Sequence, residues 1–152
     1  MIERTQDEEA IPYQHGTYQG ELKDGLPNGM GTYTCEQYTY KGFFSYGSMN
    51  GIGEIIEANG SRYKGGFRAN QKYGQGTYTH PNGAYYVGSW EKGDRHGQGI
   101  FYLPDGSKKE GLWLEDRFVM ENRLLSRICG WILVPVNCQV HDTRRFSAHQ
   151  MT

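Results

Sequence analysis

The chain predicts an all-β fold: an elongated, single-layer antiparallel β-meander of repeated hairpins, with a short C-terminal helix as its cap. Three observations predict it. Glycines recur at Gly20, Gly42, Gly65, Gly88 and Gly111, with spacings of 22, 23, 23 and 23 residues, each followed two places later by Leu22, Phe44, Phe67, Trp90 or Trp113. The first four glycines are preceded two places earlier by Tyr18, Tyr40, Tyr63 and Tyr86, and followed nine and eleven residues later by Gly29/Gly31, Gly51/Gly53, Gly74/Gly76 and Gly97/Gly99. Within a unit, apolar and aromatic residues alternate with polar ones at the period of an extended strand. A sequence so strongly in register has to be read as repeats before any single residue is weighed.

Taken in order, residues 1–15 form an acidic segment (Glu3, Asp7, Glu8, Glu9) without patterning and are expected to be disordered. Residues 16–114 hold about four and a half units. In the third unit, Tyr63, Gly65 and Phe67 share one face of a strand, and Gly74, Gly76 and Tyr78 share one face of the next. His80-Pro81-Asn82-Gly83 then supplies a corner, because proline fixes φ and Asn-Gly accepts positive φ. Glu57-Ala58-Asn59-Gly60 and Leu103-Pro104-Asp105-Gly106 repeat that corner, so each unit is a hairpin and the units join into one sheet. A glycine between each tyrosine and the next aromatic leaves a gap over which a ring can lie, so a thin sheet buries area without a second layer.

The pattern departs from itself at the ends and once inside. The first unit has Leu22 for the aromatic and Gln37 for the corner glycine, and the third has Asn70 where others have Gly25, Gly47 and Gly93. Asparagine also visits left-handed conformations, so that turn is expected to survive. The fifth unit starts with Lys109 and has Asp116 and Met120 in glycine positions, and so reads as a half unit. Beyond it, Phe118, Leu124, Leu125, Ile128, Trp131 and Ile132 fall near helical spacing. Residues 115–129 are therefore expected to be a helix, ended by Gly130 and Pro135, within a cap segment 115–140. A cap would cover a bare sheet edge; docking of residues 124–136 on a partner or membrane is the other reading. Residues 141–152 are polar and are expected to be a disordered tail.

Composition narrows the function classes. With 22 glycines, 12 tyrosines and 14% aromatics, the chain has the rings to order a glycine-rich sheet. A net charge of −1 creates no field for nucleic acid. The odd set Cys35, Cys129 and Cys138 lacks ligand spacing and suits a reduced compartment, and no secretory signal is visible, so a cytoplasmic location is expected. The five histidines are scattered, the Gly-x-Gly pairs lack both the third glycine of a dinucleotide fingerprint and a P-loop lysine, and His96 reads as part of a turn. The expectation is a protein that is not an enzyme and carries no metal and no cofactor.

The units resemble MORN repeats (membrane occupation and recognition nexus), whose pattern is Tyr-x-Gly-x-(Trp/Phe), Gly, Gly-x-Gly, Asp-Gly. The unit with Tyr86, Gly88, Trp90, Gly93, Gly97, Gly99, Asp105 and Gly106 matches it best, and the resemblance covers residues 18–113. It implies a scaffold in a cytoskeletal, ciliary or axonemal assembly or at the cell cortex, or a module that binds anionic phospholipid or phosphoinositide. The rings Tyr40, Phe44, Tyr63, Phe67, Tyr86, Trp90 and Trp113 are the candidate partner-binding residues, since Tyr and Trp anchor interfaces; the alternative is that they only hold the sheet together. About ten strands at ~4.8 Å spacing give a face about 45 Å long, room for a helix or extended peptide of a partner protein. The terminal sheet edge offers a route to a homo-dimer. Lys23, Lys41, Lys64, Lys72, Lys92, Arg95, Lys108 and Lys109 are interleaved with acids and read as solvated edge residues rather than a lipid-binding cluster.

Overall fold

The structure is a computed structural model that describes residues 9–122. The described chain forms β1 (Ile11–Tyr13), β2 (Gly16–Lys23), β3 (Leu26–Thr34), β4 (Tyr38–Ser45), β5 (Ser48–Glu57) and β6 (Arg62–Arg68). It continues through β7 (Gln71–Thr79), β8 (Tyr85–Glu91), β9 (Asp94–Tyr102), β10 (Lys108–Leu114) and β11 (Arg117–Glu121). The strands pair in chain order into one antiparallel sheet, each bonded to its sequence neighbours. This is the meander that the repeats predict.

Two kinds of connection alternate. Tight two-residue turns with positive φ at both positions occur at Asp24-Gly25 (51°, 76°), Tyr46-Gly47 (45°, 81°), Ala69-Asn70 (46°, 67°), Lys92-Gly93 (52°, 95°) and Glu115-Asp116 (47°, 65°). That is the type I′ pattern, whose twist matches the flanking strands. Asn70 and Asp116 hold the second position without being glycine because short polar side chains tolerate the left-handed region. The second residue of each later turn also donates its N–H back one repeat: Gly47 to Pro27 O (2.8 Å), Asn70 to Met49 O (3.1 Å), Gly93 to Lys72 O (3.0 Å) and Asp116 to Arg95 O (3.1 Å). The wider corners close on side chains, with Asn59, Asn82 and Asp105 accepting from Ser61 N (2.7 Å), Ala84 N (3.0 Å) and Ser107 N (2.8 Å). In the first repeat residues 35–37 make the corner, one residue fewer than 58–61 in the second, which accounts for its 22-residue spacing.

The core is a ladder of rings on one face. Tyr18, Phe44, Tyr40, Phe67, Tyr63, Trp90, Tyr86 and Trp113 meet in succession edge to face, with centroids 5.1, 5.0, 4.9, 5.1, 5.1, 5.3 and 5.3 Å apart. Such T-shaped pairs are each worth ~0.5–1.5 kcal/mol beyond burial. Glycine seats each tyrosine: a Cβ on Gly65 would sit 2.5 Å from the Cα of Gly76, and one on Gly76 would strike the Tyr63 ring itself. The ring hydroxyls donate three residues ahead, Tyr18 to Glu21 O (2.8 Å), Tyr40 to Phe43 O (2.9 Å), Tyr63 to Gly66 O (3.0 Å) and Tyr86 to Ser89 O (3.1 Å).

Both ends differ from expectation. Residues 117–121 are strand β11, not the start of a helix. The Glu115-Asp116 turn sends the chain back along β10, and Phe118 becomes the last rung, 5.2 Å from Trp113. Asn122 is helical; residues 123–129 of the expected helix, the rest of the cap and the tail lie outside the described residues. At the other end β1 falls within the segment expected to be disordered, because Tyr13 packs on Tyr18 (6.2 Å) and Tyr33 (6.3 Å) and donates to Gly47 O (3.2 Å).

Candidate interaction site on the ring face

The seven candidate rings all lie on the same face, brought together as the ladder. They are also its interior: Tyr40, Tyr63 and Tyr86 are 0% exposed, Phe44 3%, Phe67 4%, Trp113 4% and Trp90 6%. Burial pushes the Tyr40 and Tyr86 phenols up to about 12 and raises that of Tyr63 as well. A partner on this face would touch ring edges, not whole rings.

The ring face holds an open pocket of about 240 Å³, lined by Lys72, Tyr78, His80, Tyr86, Trp90, Gly93, Arg95 and Asp116. β7 brings Lys72 and Tyr78, β8 brings Tyr86 and Trp90, β9 brings Arg95, and two tight turns bring Gly93 and Asp116. His80 stands against Tyr78 (4.8 Å) and Phe101 (5.8 Å). The half-buried Lys72 ammonium lies over the rings of Tyr78 (4.5 Å), Trp90 (5.2 Å) and Tyr63 (5.3 Å), a cation–π cradle. Burial pushes Lys72 below the ordinary lysine value, against the opposing pull of Glu57, Asp116 and Asp94. None of those carboxylates makes an ion pair with it among the described residues.

Lys72 and Arg95 were expected to be solvated edge residues; they are on the ring face instead. Their place is a column of the repeat, two residues before the first glycine of each Gly-x-Gly pair: Pro27, Met49, Lys72 and Arg95. Each residue of the column lies beside the tight turn of the following hairpin, at Gly47, Asn70, Gly93 and Asp116. The two lists are matched. Pro27 has no N–H and faces a glycine; the Met49 N–H is accepted by Asn70 Oδ1 (2.8 Å); the Arg95 N–H is accepted by Asp116 Oδ1 (3.0 Å). Lys72 has an N–H and faces Gly93, so no side chain among the described residues accepts it.

Arg95 is fully provided for. Its Nε donates to Asp116 Oδ1 (2.8 Å) and its guanidinium to Asp116 O (2.9 Å), while the guanidinium lies 4.5 Å from the Trp113 ring. Burial works against the Asp116 charge, but the hydrogen bonds and charge of Arg95 win and hold its carboxyl below the ordinary aspartate range. One repeat before Lys72 in the column, a second and smaller pocket is walled by Met49, Asn70, Tyr13, Tyr33, Tyr38 and Phe44 and has no cation.

Family comparison bears directly on this geometry. The model of the MORN repeat matches four consecutive stretches, residues 18–39, 40–62, 63–85 and 86–108. The chain belongs to the MORN-repeat family. No curated protein matches it. MORN repeats are consistent with a protein-interaction or membrane-binding role. Each MORN unit begins at a buried ladder tyrosine, Tyr18, Tyr40, Tyr63 or Tyr86, and the first three end at the residue before the next one. His96, expected in a turn, instead lies in strand β9, with Nε2 3.6 Å from Glu91 Oε2. Aligning the four MORN units by their glycines would have exposed the Pro27, Met49, Lys72, Arg95 column from sequence alone.

Proposed function

We propose that this MORN protein is a non-enzymatic interaction scaffold that holds an elongated segment of a partner, a helix or extended peptide, along its ring face. The observation that carries this reading is the open, ring-lined pocket beside the buried ladder, with Tyr78, His80 and Trp90 among its walls. Family likeness alone supports placing it in a cytoskeletal, ciliary or axonemal assembly. The test is affinity capture from cell extract followed by mass spectrometry, comparing wild type with a Tyr78→Ala/His80→Ala variant. Those two side chains border the pocket outside the fully buried ladder, with Tyr78 packed on its edge, and circular dichroism first establishes that the variant keeps its fold. Partners lost from the variant support the groove, whereas an unchanged set of partners sinks it.

A second reading, attachment to an anionic membrane, has one observation in its favour on the opposite face. Met30 (52% exposed), Phe43 (44%) and Ile52 (69%) protrude there, and Lys41 and Lys64 lie in the adjoining row on either side of Glu54. Exposed apolar residues beside lysines suit an interfacial surface. Sedimentation with phosphatidylserine vesicles tests it: binding that is lost in Phe43→Ser/Ile52→Ser supports attachment, and no binding by the wild type removes it.

A further inference from the structure

We propose that the Lys72–Gly93 pocket receives a single carboxylate, an Asp or Glu side chain of the partner segment, in the place that Asp116 occupies one repeat later. The proposal rests on the scaffold reading and names the chemistry of its central contact.

The protein supplies its own template. Around Arg95, one carboxylate oxygen accepts both from the backbone N–H (3.0 Å) and from Nε (2.8 Å). Around Lys72 the backbone frame is the same, since Gly93 N donates to Lys72 O at 3.0 Å as Asp116 N donates to Arg95 O at 3.1 Å. Only the carboxylate is missing. The space for it exists, because a Cβ built on Gly93 would have no atom within 4 Å. A carboxylate entering there meets an ammonium and a backbone N–H, the donor pair Asp116 uses. Charge-assisted hydrogen bonds of this kind are stronger than neutral ones.

The surroundings select for one negative charge. Asp116 lines the pocket and is paired with Arg95, while Glu57, which accepts from the Tyr78 hydroxyl at 3.2 Å, and Asp94 also act on Lys72 without forming an ion pair with it. A dianionic phosphate would face these carboxylates with one free cation; a carboxylate is balanced by that cation alone. A protein side chain therefore fits better than a lipid phosphate.

Acetate is the minimal probe. With lysines labelled at Cε and the Lys72 signal assigned by Lys72→Met, acetate is titrated at constant ionic strength and followed by NMR. The wild type is expected to show a saturable shift of Lys72 in the millimolar range. In Gly93→Asp the side chain supplies the carboxylate itself, so acetate binding should weaken about tenfold or more and the Lys72 pKa should rise. Gly93→Asn carries the same backbone demand without the charge and should still bind acetate. No saturable shift in wild type, or equal binding in Gly93→Asp, would overturn the proposal, as would phosphate that saturates Lys72 below the acetate range. The capture experiment separates the two levels. A partner held equally by wild type and Gly93→Asp removes the carboxylate contact and leaves the scaffold. A saturable acetate shift without any captured partner leaves the site and removes the scaffold.

Discussion

The third and fourth repeats place a cation at the same point of the same frame and satisfy it in opposite ways. Arg95 is bound by Asp116, contributed by the following turn; Lys72 looks onto Gly93 and has only rings beneath it. The two places share a backbone frame and differ in the turn residue that faces the cation, Gly93 against Asp116, and that difference leaves the pocket open. A repeat protein acquires a site in this way, by leaving one position of one unit empty while the shared scaffold keeps its geometry.

The largest effect should come from the floor that the two places share. Gly76→Val drives a side chain into the Tyr63 ring under Lys72, and Gly99→Val does the same to Tyr86 under Arg95. Both glycines have ordinary φ, so the cost is overpacking without backbone strain. Each substitution should destabilise by about 3 kcal/mol or more, measured by chemical denaturation. Similar losses would show that the floors are equivalent; a large difference would break the comparison at its base.

That floor was legible in the sequence, and the pocket was not. Tyr63, Gly65, Gly76 and their equivalents recur in each of the four full units, so periodicity alone places them on paired strands. The contents of the pocket vary between units, and variable positions are what a repeat pattern discards. Lys72 and Arg95 were consequently grouped with surface lysines such as Lys41 and Lys64. The seven rings were correctly placed on one face, but only the structure shows the packing that leaves Tyr63 and Tyr86 without exposed area. At the C-terminal end, the helix expected from residue 115 was begun too early, because Phe118 continues the ladder periodicity through a turn built on Asp116.

Alkaline pH should act on both floors together. The tyrosine phenols have folded pKa values above their unfolded value, so their contribution is fully present below about pH 10 and is lost as pH rises through the folded values. Between pH 10 and 12, each tyrosine that stays protonated only in the folded state lowers stability by about 1.4 kcal/mol per pH unit. Phenolate absorbance should rise in step with loss of the sheet signal in circular dichroism. Titration of Tyr40, Tyr63 and Tyr86 near pH 10 with the fold intact would contradict the buried ladder.

The comparison becomes sharpest with the smallest changes. Asp116→Ala removes the acceptor of the Arg95 N–H and Nε and leaves a cation on the rings without its partner. The pair is partly exposed, with side-chain exposures of 23% and 50%, so the expected loss is about 1 kcal/mol. Lys72→Met installs the residue that the second repeat already has at this register, at Met49. It exchanges a desolvated ammonium for a thioether that also packs well on aromatic rings. Stability should stay within about 0.5 kcal/mol of wild type, or rise. A loss near that of Asp116→Ala would mean that the cation–π cradle holds the third repeat together, and Lys72 would then be a structural residue. A neutral or stabilising outcome means that folding has no need of a lysine there. The ammonium would then be left for something the chain does not itself contain, which is what an unfilled copy of the Asp116 position implies.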